Sequence, residues 1–283
     1  MDDEAGGPHY GELVNIERGV MGEIPYAAVG SGPPLLVCPG LWPVTGVAGD
    51  GFVRGAVAPV SGLAAGRRLV VLNRREGLPA GLTMSDLAAE YAAAITAHLG
   101  TPVDVIGAST GGSIAQQLAA DHPGAVRRVV LLSAACRLGP LGRDLQNRVA
   151  AELRLGRTRR AVSVAAAGLA PAGLRVLGRG LGWLVARRVV PTALAASDLA
   201  ATIEAEDGFD LASCAQAIQA RTLIIGGGKD RFYGIDLFGE TAELIPHSQL
   251  SVFPRRGHIG VTNDRRARTM IAGFLMANGA TKG

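Results

Sequence analysis

The stretch Val103-Asp104-Val105-Ile106-Gly107-Ala108-Ser109-Thr110-Gly111-Gly112-Ser113-Ile114-Ala115-Gln116-Gln117-Leu118 decides how the rest of the chain is read. Residues 103–106 are an apolar run with the length of a buried strand. From 109 to 120 the period becomes helical, with Ile114 and Leu118 on one face and Pro123 just past the end. Between them sits Gly107-Ala108-Ser109-Thr110-Gly111, a GxSxG at a strand-to-helix junction. So sharp a turn strains the residue at its tip, and the neighbours must be small; Gly107, Gly111 and Gly112 meet that need. The amino terminus of the helix then sets positive potential and free N–H groups beside the Ser109 hydroxyl. In that context the serine is a candidate nucleophile on an elbow.

Working outward, the same alternation recurs. Residues 13–17 and 24–29 read as two short strands around Gly19 and Gly22, a hairpin-like start. Leu35-Leu36-Val37-Cys38 is a buried strand that stops at Pro39-Gly40, and residues 69–72 repeat the signal. Thr83-x-x-Asp86 is a capping box opening a helix with Leu87, Tyr91, Ile95 and Leu99 on one face and Gly100 at its end. Strands follow at 129–132, 222–225 and 250–253. This pattern predicts an α/β fold: a mostly parallel central sheet flanked by helices. It breaks between 137 and 208, where Ala, Leu, Gly and Arg dominate at a helical period. A connection that long is unusual between neighbouring strands, so we expect a core of residues 1–136 and 209–283 with 137–208 inserted as a helical lid, against the plainer alternative of two crossover helices with long loops.

Composition bounds the function. The 283 residues suffice for one core with an insertion, and 48% of them are apolar. No run of about 18 uncharged apolar residues occurs, so no membrane span is expected. The acidic start Met1-Asp2-Asp3-Glu4 is unlike a signal peptide. Cys38, Cys136 and Cys214 are odd in number and far apart, which offers neither a disulfide framework nor a metal knuckle and makes a reducing cytoplasm the expected compartment. The net charge of +4 rests on scattered arginines without interleaved aromatics, so no nucleic-acid partner is expected. The bias is local: residues 137–188 hold eleven Arg against Asp144 and Glu152. These arginines read as a solvated face, with attraction of an acidic substrate as the alternative.

A serine hydroxyl needs a base, and the base needs a partner that fixes its tautomer. The strand at 222–225 runs into Gly226-Gly227-Gly228-Lys229-Asp230, and that at 250–253 into Pro254-Arg255-Arg256-Gly257-His258. Parallel strands share one carboxyl-end edge, so Ser109, Asp230 and His258 can meet there. Asp236 is the alternative acid, placed further on and inside the next helix. His9, His98, His122 and His247 read as surface or capping residues.

With those pieces in place, the chain resembles the α/β-hydrolase superfamily over nearly all its length outside 137–208. The best-matching segments are Gly30-Ser31-Gly32-Pro33-Pro34-Leu35-Leu36-Val37, Gly107-Ala108-Ser109-Thr110-Gly111-Gly112, Asp121-His122-Pro123, Gly227-Gly228-Lys229-Asp230 and Gly257-His258. The order Ser, Asp, His is that of the fold. The resemblance implies an oxyanion hole from the backbone N–H of Thr110 and that of Leu41 or Trp42, and chemistry that uses neither cofactor nor metal. It departs at Cys38-Pro39-Gly40, where the family's oxyanion loop carries His before Gly. Trp42 and Trp183 are expected pocket residues, with core packing as the alternative for Trp42. Among the apolar residues of the insertion, Leu138, Leu141, Leu153, Leu155, Leu174, Val176, Leu181, Trp183 and Leu184, some are expected to face the pocket.

The implied activity is hydrolysis of an ester-type bond (ester, lactone or thioester) in a small, largely apolar substrate through an acyl-enzyme on Ser109. Carbon-carbon bond hydrolysis, acyl transfer and a non-catalytic ligand-binding role stand as alternatives on the same residues. The GxSxG also resembles the nucleotide loop of short-chain dehydrogenases. That reading fails on Ser113 where a third Gly is needed, on the motif's position past residue 100, and on the lysines, which are only Lys229 and Lys282.

Overall fold

The computed structural model describes residues 15–170 and 172–277. Its strands are β1 (Glu17–Met21), β2 (Ile24–Val29), β3 (Pro34–Cys38), β4 (Arg68–Leu72), β5 (Val103–Ala108), β6 (Val126–Leu132), β7 (Arg221–Gly227) and β8 (Ser248–Phe253). They form one sheet in the order β1-β2-β4-β3-β5-β6-β7-β8. β3 to β8 are mutually parallel, while β1 and β2 join antiparallel at one edge. This is the α/β-hydrolase fold expected from the sequence.

Side chains along each strand alternate between two apolar layers. Leu36, Cys38, Val70, Leu72 and Val105 face α2 (Met84–His98), α3 (Thr110–Asp121) and α8 (Ile235–Leu244). Leu35, Val37, Leu69, Val71 and Ile106 face α1 (Asp50–Val57) and α10 (Arg265–Met276). With both faces covered, the strands read as near-continuous apolar runs. The Thr83–Asp86 capping box forms as expected, and Gly100 takes a left-handed conformation after α2.

The opening hairpin differs from expectation. Leu13 and Val14 lie outside the described residues, and the first strand is Glu17–Met21, so Gly19 lies within it against the Tyr26 ring and the turn falls at Gly22. The reason is conformational: Gly22 has φ +63, which the turn requires.

Between β6 and β7 the chain makes α4 (Pro140–Arg154), α5 (Thr158–Leu169), α6 (Arg175–Val189) and α7 (Ala193–Asp207). These four helices share their own apolar cluster, including Val149, Leu153, Leu199 and Ile203. No helix among the described residues is long and apolar enough to cross a membrane.

Candidate active site

β5 runs straight into α3, and Ser109 at the junction has φ 51 and ψ −125. A non-glycine residue in such a conformation persists only where its surroundings over-determine it. Here they do. The Ser109 N–H donates to the Leu132 carbonyl, and its own carbonyl accepts from Gly112 and Ser113. A Cβ on Gly111 would lie 2.1 Å from the Cys38 carbonyl oxygen, and one on Gly112 would lie 2.2 Å from Ala134 Cβ. The small residues are therefore needed because β3 and the chain after β6 press against the first turn of α3.

His258 opens α9 (His258–Thr262), after the loop that leaves β8. Its Nε2 lies 3.0 Å from Ser109 Oγ and its Nδ1 lies 2.8 Å from Asp230 Oδ2. The Asp230 carboxylate is buried; its Oδ1 accepts from the N–H of Phe232 at 2.8 Å and of Tyr233 at 3.4 Å. Two loops thus deliver the imidazole and the carboxylate. They can approach because Gly227 and Gly228 leave no room for a Cβ against Arg256 and Pro254. The Phe232 ring packs on the imidazole with centroids 4.6 Å apart, and Tyr233 stacks on it at 5.8 Å. Asp236 is exposed in the first turn of α8 and does not take part. A hydroxyl, an imidazole and a buried carboxylate in this line can move a proton off the hydroxyl and hold the resulting imidazolium.

The Leu41 and Trp42 N–H groups have no backbone carbonyl partner among the described residues. Their loop is fixed from below by side chains that the sequence did not single out. Asn73 Nδ2 donates to the Val44 and Gly46 carbonyls, and the buried Arg74 donates to Trp42 and Val44. Gly40 packs close to Ser109 Cβ. The departure at Cys38-Pro39-Gly40 therefore leaves an ordered loop beside the serine.

Ser109 opens into a cavity of about 600 Å³ that Trp42, Leu145, Val149, Ala165, Leu169 and Ile203 help to line. Trp42 lines this cavity; Trp183 does not. Trp183 is exposed on α6, with the Arg159 guanidinium 4.2 Å above its ring. Of the nine apolar residues among which some were expected to face the pocket, none lines it. Leu138 and Leu153 are buried elsewhere, and the other seven are exposed. Apolar composition indicates that a helix has something to cover, not which side does the covering.

Two further residues escaped the sequence reading. Ser133, also at positive φ, donates from Oγ to the His258 carbonyl and fixes the start of α9. Glu206 of α7 is fully buried and accepts from Thr110 Oγ1, Ser113 Oγ, Gln146 Nε2 and Tyr233 OH. Burial pushes its carboxyl up, and those four donors offset only part of the rise. Burial likewise raises the Tyr233 phenol well above its usual range. A carboxylate at the end of a helix rich in Glu and Asp carries no sequence signal that separates it from a solvated one.

The family model described as the alpha/beta hydrolase family matches residues 35–270. Pyrrolizixenacetamide deacetylase of Xenorhabdus hominickii is 26% identical over 202 residues, which is 69% of this chain and 74% of that protein. Among solved structures, MGS-M2, an alpha/beta hydrolase enzyme from a Medee basin deep-sea metagenome library, superposes with a TM-score of 0.75 at 16% identity, covering 93% of this chain and 98% of its own. The enol-lactonase of Burkholderia xenovorans does so with a TM-score of 0.71 at 21% identity, covering 92% and 100%. At such identities these structures speak to the fold alone.

Proposed function

The chain belongs to the alpha/beta hydrolase family, and from that premise we propose that it is a serine hydrolase that cleaves an ester-type bond in a small, largely apolar substrate. What carries this reading is one line of contacts: Ser109 Oγ, 3.0 Å from His258 Nε2, with Asp230 2.8 Å from Nδ1. In the proposed reaction Ser109 Oγ attacks the substrate carbonyl carbon while His258 takes its proton. The oxyanion that forms is met by the N–H of Thr110 and that of Leu41 or Trp42; such donors contribute a few kcal/mol, about 3 each, at the transition state. Collapse expels the alcohol, which leaves with the proton from the imidazolium. Water activated by the same imidazole then cleaves the acyl-serine and releases the acid. Asp230 holds the imidazole tautomer and its charged form throughout. Residues 137–208 act in this proposal as a lid, because Leu145, Val149, Ala165, Leu169 and Ile203 all come from it and supply apolar wall for the acyl group.

The test is a fluorophosphonate probe followed by intact-protein mass spectrometry on wild type and Ser109→Ala. One adduct on the wild type and none on the variant is expected; a folded wild type that takes no adduct overturns the proposal. Esters, lactones, thioesters and vinylogous diketones run on the same pair then sort the bond cleaved. The relative from Xenorhabdus hominickii is named pyrrolizixenacetamide deacetylase, so acetamides belong in that panel.

A further inference from the structure

Between Leu153 and Ser197 the chain carries Arg154, Arg157, Arg159, Arg160, Arg175, Arg179, Arg187 and Arg188 and no acidic residue. Arg154 pairs with Glu204 and Arg157 reaches Glu152. Arg159, Arg160, Arg179, Arg187 and Arg188 are exposed and have no carboxylate within ion-pair distance among the described residues. Five arginines, Arg154, Arg157, Arg159, Arg160 and Arg187, line one open cleft of about 890 Å³ with Trp183, on the outside of the insertion. This cleft shares no lining residue with the cavity at Ser109.

α6 borders the cleft through Trp183 and Arg187, and its packing is inverted relative to an ordinary surface helix. Its inner face is made of small residues: Gly178, Gly182 and Ala186 recur every four positions, and the first two lie within about 3 Å of α5 atoms once a Cβ is added. Its large apolar side chains point outward. Val176 is 87% exposed, Leu177 69%, Leu181 57% and Leu184 73%, and the last three share one face at i, i+4 and i+7. Nothing among the described residues covers this ridge.

We propose that this outer face docks on an anionic lipid surface, with Leu177, Leu181 and Leu184 entering the headgroup–acyl boundary and the arginine cleft receiving lipid phosphates. A basic helix with Leu and Trp on its exposed side has the composition of an interfacial helix. Guanidinium groups match phosphate oxygens in a bidentate fork. The ridge is convex and aliphatic, which suits a deformable lipid surface; protein partners are anchored instead by aromatic residues seated in pockets, and Leu and Val are under-represented among such anchors. Docking would also bring α5, which lines the catalytic cavity through Ala165 and Leu169, within one helix layer of the lipid.

The experiment is co-sedimentation of the full chain with vesicles of phosphatidylcholine alone and of equimolar phosphatidylcholine and phosphatidylglycerol at low ionic strength. Binding only to the anionic vesicles, weakened by added salt, is expected. Arg187→Gln with Arg188→Gln should weaken binding by about tenfold or more, since each arginine near a charged bilayer acts separately. Leu177→Asp with Leu181→Asp should abolish it while fluorophosphonate labelling of Ser109 stays at the wild-type rate. Leu177→Ser with Leu181→Ser serves if the aspartates unfold the insertion. Equal binding to both vesicle types, wild-type binding by the leucine variants, or no binding to either vesicle overturns the proposal. So does full displacement by inorganic phosphate at matched ionic strength, which would make the cleft a site for free phosphate.

Discussion

Glu206 offers the sharpest test of the packing beneath Ser109. Its Oε1 accepts from two hydroxyls, Ser113 at 3.1 Å and Tyr233 at 3.3 Å; its Oε2 accepts from the Thr110 hydroxyl at 2.7 Å and the Gln146 amide at 3.0 Å. The Gln146 amide nitrogen can only donate, so in Glu206→Gln the new carbonyl must take the place of Oε2. The new amide nitrogen then faces Ser113 and Tyr233, and both hydroxyls can turn to accept. Every partner survives, and a buried charge is gone; the cost should stay within about 1 kcal/mol. Glu206→Leu leaves four donors without an acceptor. At about 1–3 kcal/mol for each unsatisfied group, and with some hydroxyls pairing among themselves, the loss should be about 4 kcal/mol. Urea midpoints at constant m-value measure both. The pH dependence gives a second, signed check. Burial raises the Glu206 carboxyl in the folded protein, so its contribution is complete below the ordinary glutamate range of about 4 and is lost as pH rises through the raised folded value. Wild type and Glu206→Gln should therefore match at acid pH, with the glutamine variant gaining relative to wild type toward neutrality. A leucine variant as stable as the glutamine variant, or a gap that opens in the other direction, would refute the reasoning.

Two further outcomes follow from the site and the sheet. Asp230→Asn should leave the fold intact and lower turnover by about four orders of magnitude, because the amide cannot hold the imidazole tautomer; Asp236→Asn, on the exposed first turn of α8, should leave turnover unchanged, and steady-state kinetics on the two variants separate them. Asp104 lies buried in β5 with Arg67 and Arg127 on its oxygens at 2.7–2.9 Å. Burial pushes its carboxyl up, but the two guanidinium groups outweigh that and hold it below the usual range. Its stabilisation is therefore complete above the ordinary aspartate value of about 4 and lost as pH falls below it. Asp104→Asn should cost about 2 kcal/mol, reduced from the value for a sealed pair because Arg127 is half exposed, and the urea midpoints of wild type and variant should converge in acid.

The sheet and the meeting of Ser109, Asp230 and His258 were legible because local pattern and position coincide there. A strand period gives way to a helix period at Ser109, and two further strands end in loops carrying Asp230 and His258. Parallel topology then brings loops more than 100 residues apart to one edge. The supports were not legible, because their partners are distant in sequence. Arg74 reaches carbonyls at 42 and 44, Ser133 reaches the carbonyl at 258, and Glu206 reaches residues at 110, 113, 146 and 233. Between β6 and β7 the sequence misleads for a different reason. A helix with Gly178, Gly182 and Ala186 on one face can pack by its small side, which turns Leu177, Leu181 and Leu184 outward and leaves Trp183 far from the cavity it was expected to line.

The same anchoring pattern shows where the four helices between β6 and β7 divide. α7 is fastened to the core twice: the buried Asp198 accepts from the N–H groups of Gly77 and Leu78, and Glu206 holds α3. α4 is fastened through Gln146 to Glu206 and through Gly139, whose N–H donates to the Phe232 carbonyl. α5 and α6 show only one side-chain hydrogen bond of this kind among the described residues, from Ser163 to Arg179, and it lies within the pair. Replacing residues 157–190 with a short Gly-Ser linker should therefore leave a folded protein whose Ser109 still reacts with a small phosphonate. The truncation removes Ala165 and Leu169 from the cavity wall and leaves Leu145, Val149 and Ile203. Each methylene buried there contributes about 0.8 kcal/mol, so kcat/KM in the parent should climb about fourfold per carbon across short acyl chains until the cavity is full. In the truncated protein that slope should flatten once the acyl chain reaches the missing wall. A folded, phosphonate-reactive truncation that kept the parent's chain-length profile would show that α4, α7 and the core set specificity, and that α5 contributes no wall to the substrate.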